Sequence, residues 1–215
     1  MLELQRSLHE EVARGLRGDT WIVVEHDPVV TLGRSAKRSS LLVSESEMAR
    51  RGIDVVEVER GGDATYHGPG QLVVYPIVRL ERFREVVPLV SALENATIEM
   101  LATFGIAGSV RREHRGVYVG AAAICAVGIA VKRMTSLHGL ALNVSTELDY
   151  DRLIAPCGLP EFGITSMERE LGRRIDPAVA REALLASLAT AFDVRLEDAP
   201  APAPAPAPAS SARIG

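Results

Sequence analysis

The chain has 215 residues, 47% of them hydrophobic and 24% charged, with a formal net charge of −4. That is enough for one well-buried domain of ordinary globular composition. The negative charge argues against bulk attraction to nucleic acid, no apolar run is long enough to cross a membrane, and two widely separated cysteines point to a reducing, cytoplasmic setting.

In chain order, Met1-Leu2-Glu3-Leu4-Gln5 lacks the basic-then-apolar pattern of a secretion signal. Strands are expected over 21–26, 54–59, 72–78, 116–119, 124–131 and 137–143. A helix is expected over 87–104, with Val90, Leu93, Thr97, Leu101 and Phe104 on one face and Gly105 as its stop. Asp176-Pro177 is a capped helix start, continued by an apolar face of Ala183, Leu184, Leu188 and Ala191. Neighbouring strands with helices inserted between them predict a single α+β domain over 1–198. Residues 199–215 alternate Ala and Pro and predict a disordered, extended tail outside the fold.

One stretch stands out: Arg60, Gly61, Gly62, Asp63, Ala64, Thr65, Tyr66, His67, then Gly68-Pro69-Gly70-Gln71. Glycine allows close backbone approach and positive φ, so a long turn between two strands with Arg and His near its ends is suited to wrapping a ligand. The plainer alternative is a bulged hairpin with two solvated polar residues.

Cys125 lies in the apolar run Ala122-Ala123-Ile124-Cys125-Ala126-Val127, where a thiol is most simply an inert core residue. Cys157 sits in Ala155-Pro156-Cys157-Gly158-Leu159-Pro160, a loop that can present a side chain in a cleft; it is either a nucleophile or an idle loop cysteine. Taken singly, His26 and His138 read as satisfied structural residues, and His9 and His114 have no supporting context. No spacing suits a metal, and the glycine-rich turn lacks the Gly-Lys-Ser/Thr ending of a phosphate loop, so neither a metal, ATP nor another cofactor is expected.

The block from Arg60 to Gln71 closely resembles the motif of the octanoyltransferases of lipoate biosynthesis, the lipoyl(octanoyl) transferase family. Leu137-His138-Gly139-Leu140-Ala141-Leu142-Asn143-Val144 resembles a second block, His26-Asp27-Pro28-Val29-Val30-Thr31-Leu32-Gly33 a third, and Pro156-Cys157-Gly158 matches the family's acyl-accepting cysteine. The resemblance implies the fold of biotin and lipoate protein ligases, a mixed β-sheet flanked by helices. It also implies transfer of an octanoyl or lipoyl group from acyl carrier protein to a lysine of a lipoyl domain, on 2-oxoacid dehydrogenases or the glycine cleavage H protein. Cys157 would carry the acyl group as a thioester. Residues 60–67, together with Ala126, Val127, Gly128, Gly139, Leu140 and Ala141, would contact substrate, supported by His26, His138 and Asn143. A monomer is expected, with no nucleic acid or membrane partner. The acidic carrier is expected to dock near Arg34, Lys37 and Arg38 or near Arg111, Arg112 and Arg115. A cysteine-dependent thioesterase and a non-catalytic acyl- or lipoyl-binding homologue are the alternatives.

The pattern breaks at one position. The family places a lysine immediately before the isoleucine of Ile124-Cys125-Ala126-Val127-Gly128, where this chain has Ala123. A thiol with pKa near 8.5 is only about 3% thiolate at neutral pH, and a nearby cation lowering it to about 7 would give roughly 15-fold more. A positioned proton donor and acceptor contributes more, about 10²–10⁴-fold. Lys132 is a poor substitute, because nine residues of strand span about 30 Å. Ala121 to Ala123 also look like unusual chemistry for a strand–strand turn. Activity as written is therefore expected to be impaired.

Overall fold

The structure is a computed structural model that describes residues 1–111, 114–155 and 163–199. The arms of its large sheet are β1 (Thr20–Val24), β5 (Gln71–Ile77), β9 (Thr135–Asn143), β8 (Ala122–Lys132), β7 (Gly116–Val119) and β6 (Ser109–Val110), antiparallel in that spatial order. A second, three-stranded sheet runs β3 (Asp54–Glu57), β2 (Val29–Leu32), β4 (Ala64–His67). Its β2–β3 pair is parallel, and with an isolated parallel bridge between Ala123 and Ile164 it gives the α+β arrangement its mixed character. Among the described residues no helix is long and apolar enough to cross a membrane.

Period-two alternation sends the side chains of each strand to opposite faces. Val74, Leu140 and Leu142 join the core that also contains Leu93, Met100 and Leu101 of α3 (Val86–Thr103) and Leu184 and Leu188 of α5 (Pro177–Ala191). Val73, Tyr75 and Ala141 form a separate cluster, and Ile77 packs with Leu8 and Val12 of α1 (Leu2–Ala13). Helix α2 (Glu45–Arg50) buries Met48 with Val30 and Ile53 under the small sheet, and the short α4 (Met167–Leu171) buries Met167 in the main core.

Several expectations need correcting. The glycine-rich stretch is not one turn: Ala64–His67 is strand β4, paired with β2 through Val29↔His67 and Leu32↔Ala64. β1 ends at Val24, so His26 lies in the following loop. The β7–β8 turn is Gly120-Ala121, with Gly120 at φ 56, so glycine supplies the left-handed position and Ala122 and Ala123 belong to β8. Ala191 is exposed rather than on the buried face of α5, whereas Ala180 is fully buried there. Asp176 caps α5 as expected, accepting from Ala178 N at 2.9 Å. The proposed tail falls outside the described residues from position 200 onward.

Candidate active site

A cavity of about 500 Å³ lies between the two sheets. Its floor comes from β8 and β9, where Ala126 opposes Ala141 and Gly128 opposes Gly139, two same-face pairs that leave room above the sheet. Opposite them are Arg60, Gly61, Gly62, Asp63, Ala64, Thr65, Tyr66 and His67. Val127, Leu140, Ala123, His138 and Asn143 also line the cavity, so residues from blocks 80 positions apart in the chain share one chamber.

Arg60 is buried and clamped. Its Nε donates to Thr31 Oγ1 at 3.1 Å, Nη2 to Thr31 O at 2.7 Å, and Nη1 to Gly61 O at 3.0 Å. The segment passes so close to its neighbours that a Cβ at Gly128 would lie 2.9 Å from Gly61 O and 3.2 Å from Arg60 Cδ; one at Gly33 would collide with Gly62 O. Gly61 N also donates to Ile129 O at 3.0 Å, pinning the loop to β8.

A directed hydrogen-bond chain runs behind the cavity wall. Asn143 Nδ2 donates to Thr165 O and Tyr150 Oη, each at 3.1 Å, so Asn143 Oδ1 is the acceptor for Gln71 Nε2 at 2.9 Å. Gln71 Nε2 donates also to Tyr66 O, which leaves Gln71 Oε1 to accept from His67 Nδ1 at 2.8 Å. His67 Nε2 is then an acceptor, 3.2 Å from Thr31 Oγ1. The imidazole is neutral with its proton on Nδ1, and burial pushes its pKa down to about 3.

Two histidines, His26 and His138, flank Tyr75, and a third, His67, stands against His26. His26 Nε2 is 2.8 Å from Tyr75 Oη, the His26 and His67 rings are 5.6 Å apart, and the Tyr75 and His138 rings are 6.3 Å apart. Burial lowers the pKa of His26 and His138 and raises that of the Tyr75 phenol. His138 takes φ 61, rare for a side-chain-bearing residue, and its backbone N–H donates to the buried Gln5 Oε1 at 3.0 Å. Its Nε2 stands 3.5 Å from Glu59 Oε2 without hydrogen-bond geometry. His26 supports Tyr75 rather than lining the cavity itself.

Ala123 reaches the cavity through a bulge. β7 and β8 pair as Val117↔Cys125 but Tyr118↔Ala123, leaving Ile124 without an opposite. The extra residue lets Ile124 and Cys125 both enter the main core, and returns Ala123 to the cavity side with Ala126 and Gly128. Ala123 is held at both ends of its peptide unit, N to Gly163 O at 2.8 Å and O from Thr165 N at 2.9 Å. Cys125 is buried, and desolvation raises its thiol pKa to about 12, which makes it inert as a nucleophile. Cys157 lies outside the described residues. Lys132 ends β8, where its carbonyl oxygen stands 2.9 Å from His9 Nε2, and it does not line the cavity.

Sequence reading missed several wall residues. Thr31, Gln71 and Tyr75 lay inside or beside recognised blocks, and a count of buried polar partners could have singled them out. Val86, Val90, His114, Arg115 and Tyr118 carry no local signal of a place in the cavity wall. Val90 reads only as a helix-face residue and Arg115 only as part of a basic cluster, and α3 packing on β7 and β8 puts Val86 and Val90 beside Tyr118. Arg115 is fixed there by an ion pair to the buried Glu94 at 3.3 Å, and Glu94 also accepts from Gly116 N at 2.8 Å.

The family model of the lipoyl protein ligase A/B catalytic domain matches residues 1–189. Octanoyltransferase of Myxococcus xanthus is 44% identical over 206 residues, 93% of this chain, of which the chain spans 58%. Octanoyltransferase of Syntrophobacter fumaroxidans is 44% identical over 192 residues, covering 89% of this chain and 84% of the relative. Among solved structures, the archaeal bipartite lipoate protein ligase of Thermoplasma acidophilum superposes with a TM-score of 0.74 at 16% identity, over 91% of this chain and 82% of that one, which shows a shared fold. A chamber assembled from these blocks, a family model over residues 1–189 and a 44% identical relative covered to 84% of its length lead to one conclusion: the chain belongs to the lipoyl protein ligase A/B catalytic-domain family.

Proposed function

We propose that this chain is an octanoyltransferase of protein lipoylation, moving an octanoyl or lipoyl group from acyl carrier protein to a lysine of a lipoyl domain. The observation that carries the reading is the cavity itself, whose small-residue floor of Ala126, Ala141, Gly128 and Gly139 faces the clamped Arg60–Gly62 loop. A chamber of about 500 Å³ has ample room for an eight-carbon chain, and its neutral His67 places no charge against an apolar ligand. Each buried methylene stabilises binding by about 0.8 kcal/mol, about a fourfold preference, so discrimination between neighbouring chain lengths is modest.

In this scheme Cys157 Sγ attacks the carbonyl carbon of the donor thioester. The new C–S bond forms as the bond to the carrier sulfur breaks, and the carrier thiol leaves with a proton. The acceptor amine then attacks the same carbon, an amide forms, and Cys157 departs as thiolate. Both steps need a group that moves a proton, and Ala123 has none, so turnover is slow. Incubation with octanoyl-acyl carrier protein and an apo lipoyl domain tests the reading: octanoylated lipoyl domain in excess of free octanoate supports it. Free octanoate alone would make the chain a thioesterase, and neither product would leave it a binding homologue.

A further inference from the structure

Arg34, Lys37 and Arg38 are exposed, and no acidic residue occurs between Gly33 and Val43. None of the three has a side-chain hydrogen bond or ion pair among the described residues. The backbone of the same stretch is tied to two walls of the cavity. Arg34 N donates to Arg60 O and Ser35 N to Gly62 O, each at 3.0 Å, while Ala155 N donates to Ser40 O at 3.0 Å and Leu42 N to Leu153 O at 2.9 Å. Arg60, Gly62 and the intervening Ile154 all line the cavity, and Leu42 adds an apolar side chain that is 54% exposed.

The other basic cluster is already committed. Arg111 lies over the Tyr118 ring at 4.9 Å and donates to Gly120 O at 2.9 Å, and Arg115 is paired with Glu94. Arg112 lies outside the described residues. We propose that the 34–42 stretch is the docking surface for the carrier domain of the acyl donor, an inference that rests on the acyl-transfer reading above. An acyl carrier is an acidic domain whose thioester hangs on a phosphate-bearing arm, so both parts are anionic and complement three uncommitted cations beside an apolar Leu42. The acceptor's reacting group is an amine, which offers no anion for these cations to hold.

The test is the triple reversal Arg34→Glu, Lys37→Glu, Arg38→Glu. Its reference is Arg173→Glu with Arg174→Glu, which alters bulk charge away from the cavity. The dissociation constant and KM for octanoyl-acyl carrier protein are expected to rise about tenfold or more and to lose most of their salt dependence, as steering by exposed charges does. Reaction with the uncharged octanoyl-N-acetylcysteamine thioester and KM for the lipoyl domain are expected to stay unchanged, which also reports intact folding. Unaltered carrier affinity, an equal effect of the reference reversals, or a shift confined to the lipoyl domain would overturn the assignment. If the unaltered protein transfers octanoate from neither donor, the acyl-transfer reading fails by itself. The carrier dissociation constant then still decides whether this surface docks the carrier.

Discussion

His67 Nδ1 donates to Gln71 Oε1 at 2.8 Å, and that direction is dictated by Asn143 and Thr165 rather than by His67 itself. The folded imidazole titrates near 3, against about 6.5 when exposed on unfolding. Between those values the unfolded chain binds the extra proton, so stability falls as pH drops below about 6.5 and is unaffected by this group above it. Moving from pH 7.5 to 5.5 should cost about 1.4 kcal/mol through His67 alone. Burial of His26 and His138 acts in the same direction. Urea unfolding at the two pH values measures this, and His67→Asn, which keeps a donor toward Gln71, should reduce the difference. An unchanged pH dependence in that variant would show that His67 is not held neutral.

Gly128→Ala tests the clamp on Arg60. The added methyl meets Gly61 O at 2.9 Å, and the loop cannot yield freely because Gly61 N is bonded to Ile129 O. A stability loss of about 1–3 kcal/mol is expected, typical of an overpacked site. Octanoate affinity should fall together with it. Calorimetric unfolding and a fluorescent fatty-acid displacement assay read the two effects separately.

Ala123→Lys should raise octanoyl transfer about 10²–10⁴-fold, the range of a positioned proton carrier. The backbone there is fixed by Gly163 and Thr165 and the bulge at Ile124 directs position 123 to the cavity, so a lysine there would project into it. Single-turnover transfer to a lipoyl domain measures the gain. An unchanged rate would mean that another group already moves the proton.

Much of the fold was legible because its signals are local. The 3.6-residue period of α3, the Asp176-Pro177 start of α5 and the apolar runs of β5, β8 and β9 all act within a few residues. Strand β4 was hidden, because its partner β2 is about 35 residues away and glycines on both sides of it read as turn. α1 carries Leu4, Leu8 and Val12 on one face, but its buried Gln5 and His9 interrupt the apolar pattern; their reason is distant, at His138 N and Lys132 O. The walls of the cavity were readable as blocks through family likeness. Its hydrogen-bond directions, the β8 bulge and the left-handed His138 depend on tertiary packing that no local window contains.

The most direct measurement is the intact mass of the protein after incubation with octanoyl-acyl carrier protein. The account predicts an adduct of one octanoyl group, labile to hydroxylamine as thioesters are, formed faster in Ala123→Lys and abolished in Cys157→Ser. An adduct that survives Cys157→Ser, or a protein with Cys157 intact that transfers octanoate to the lipoyl domain without ever carrying it, would contradict the covalent route.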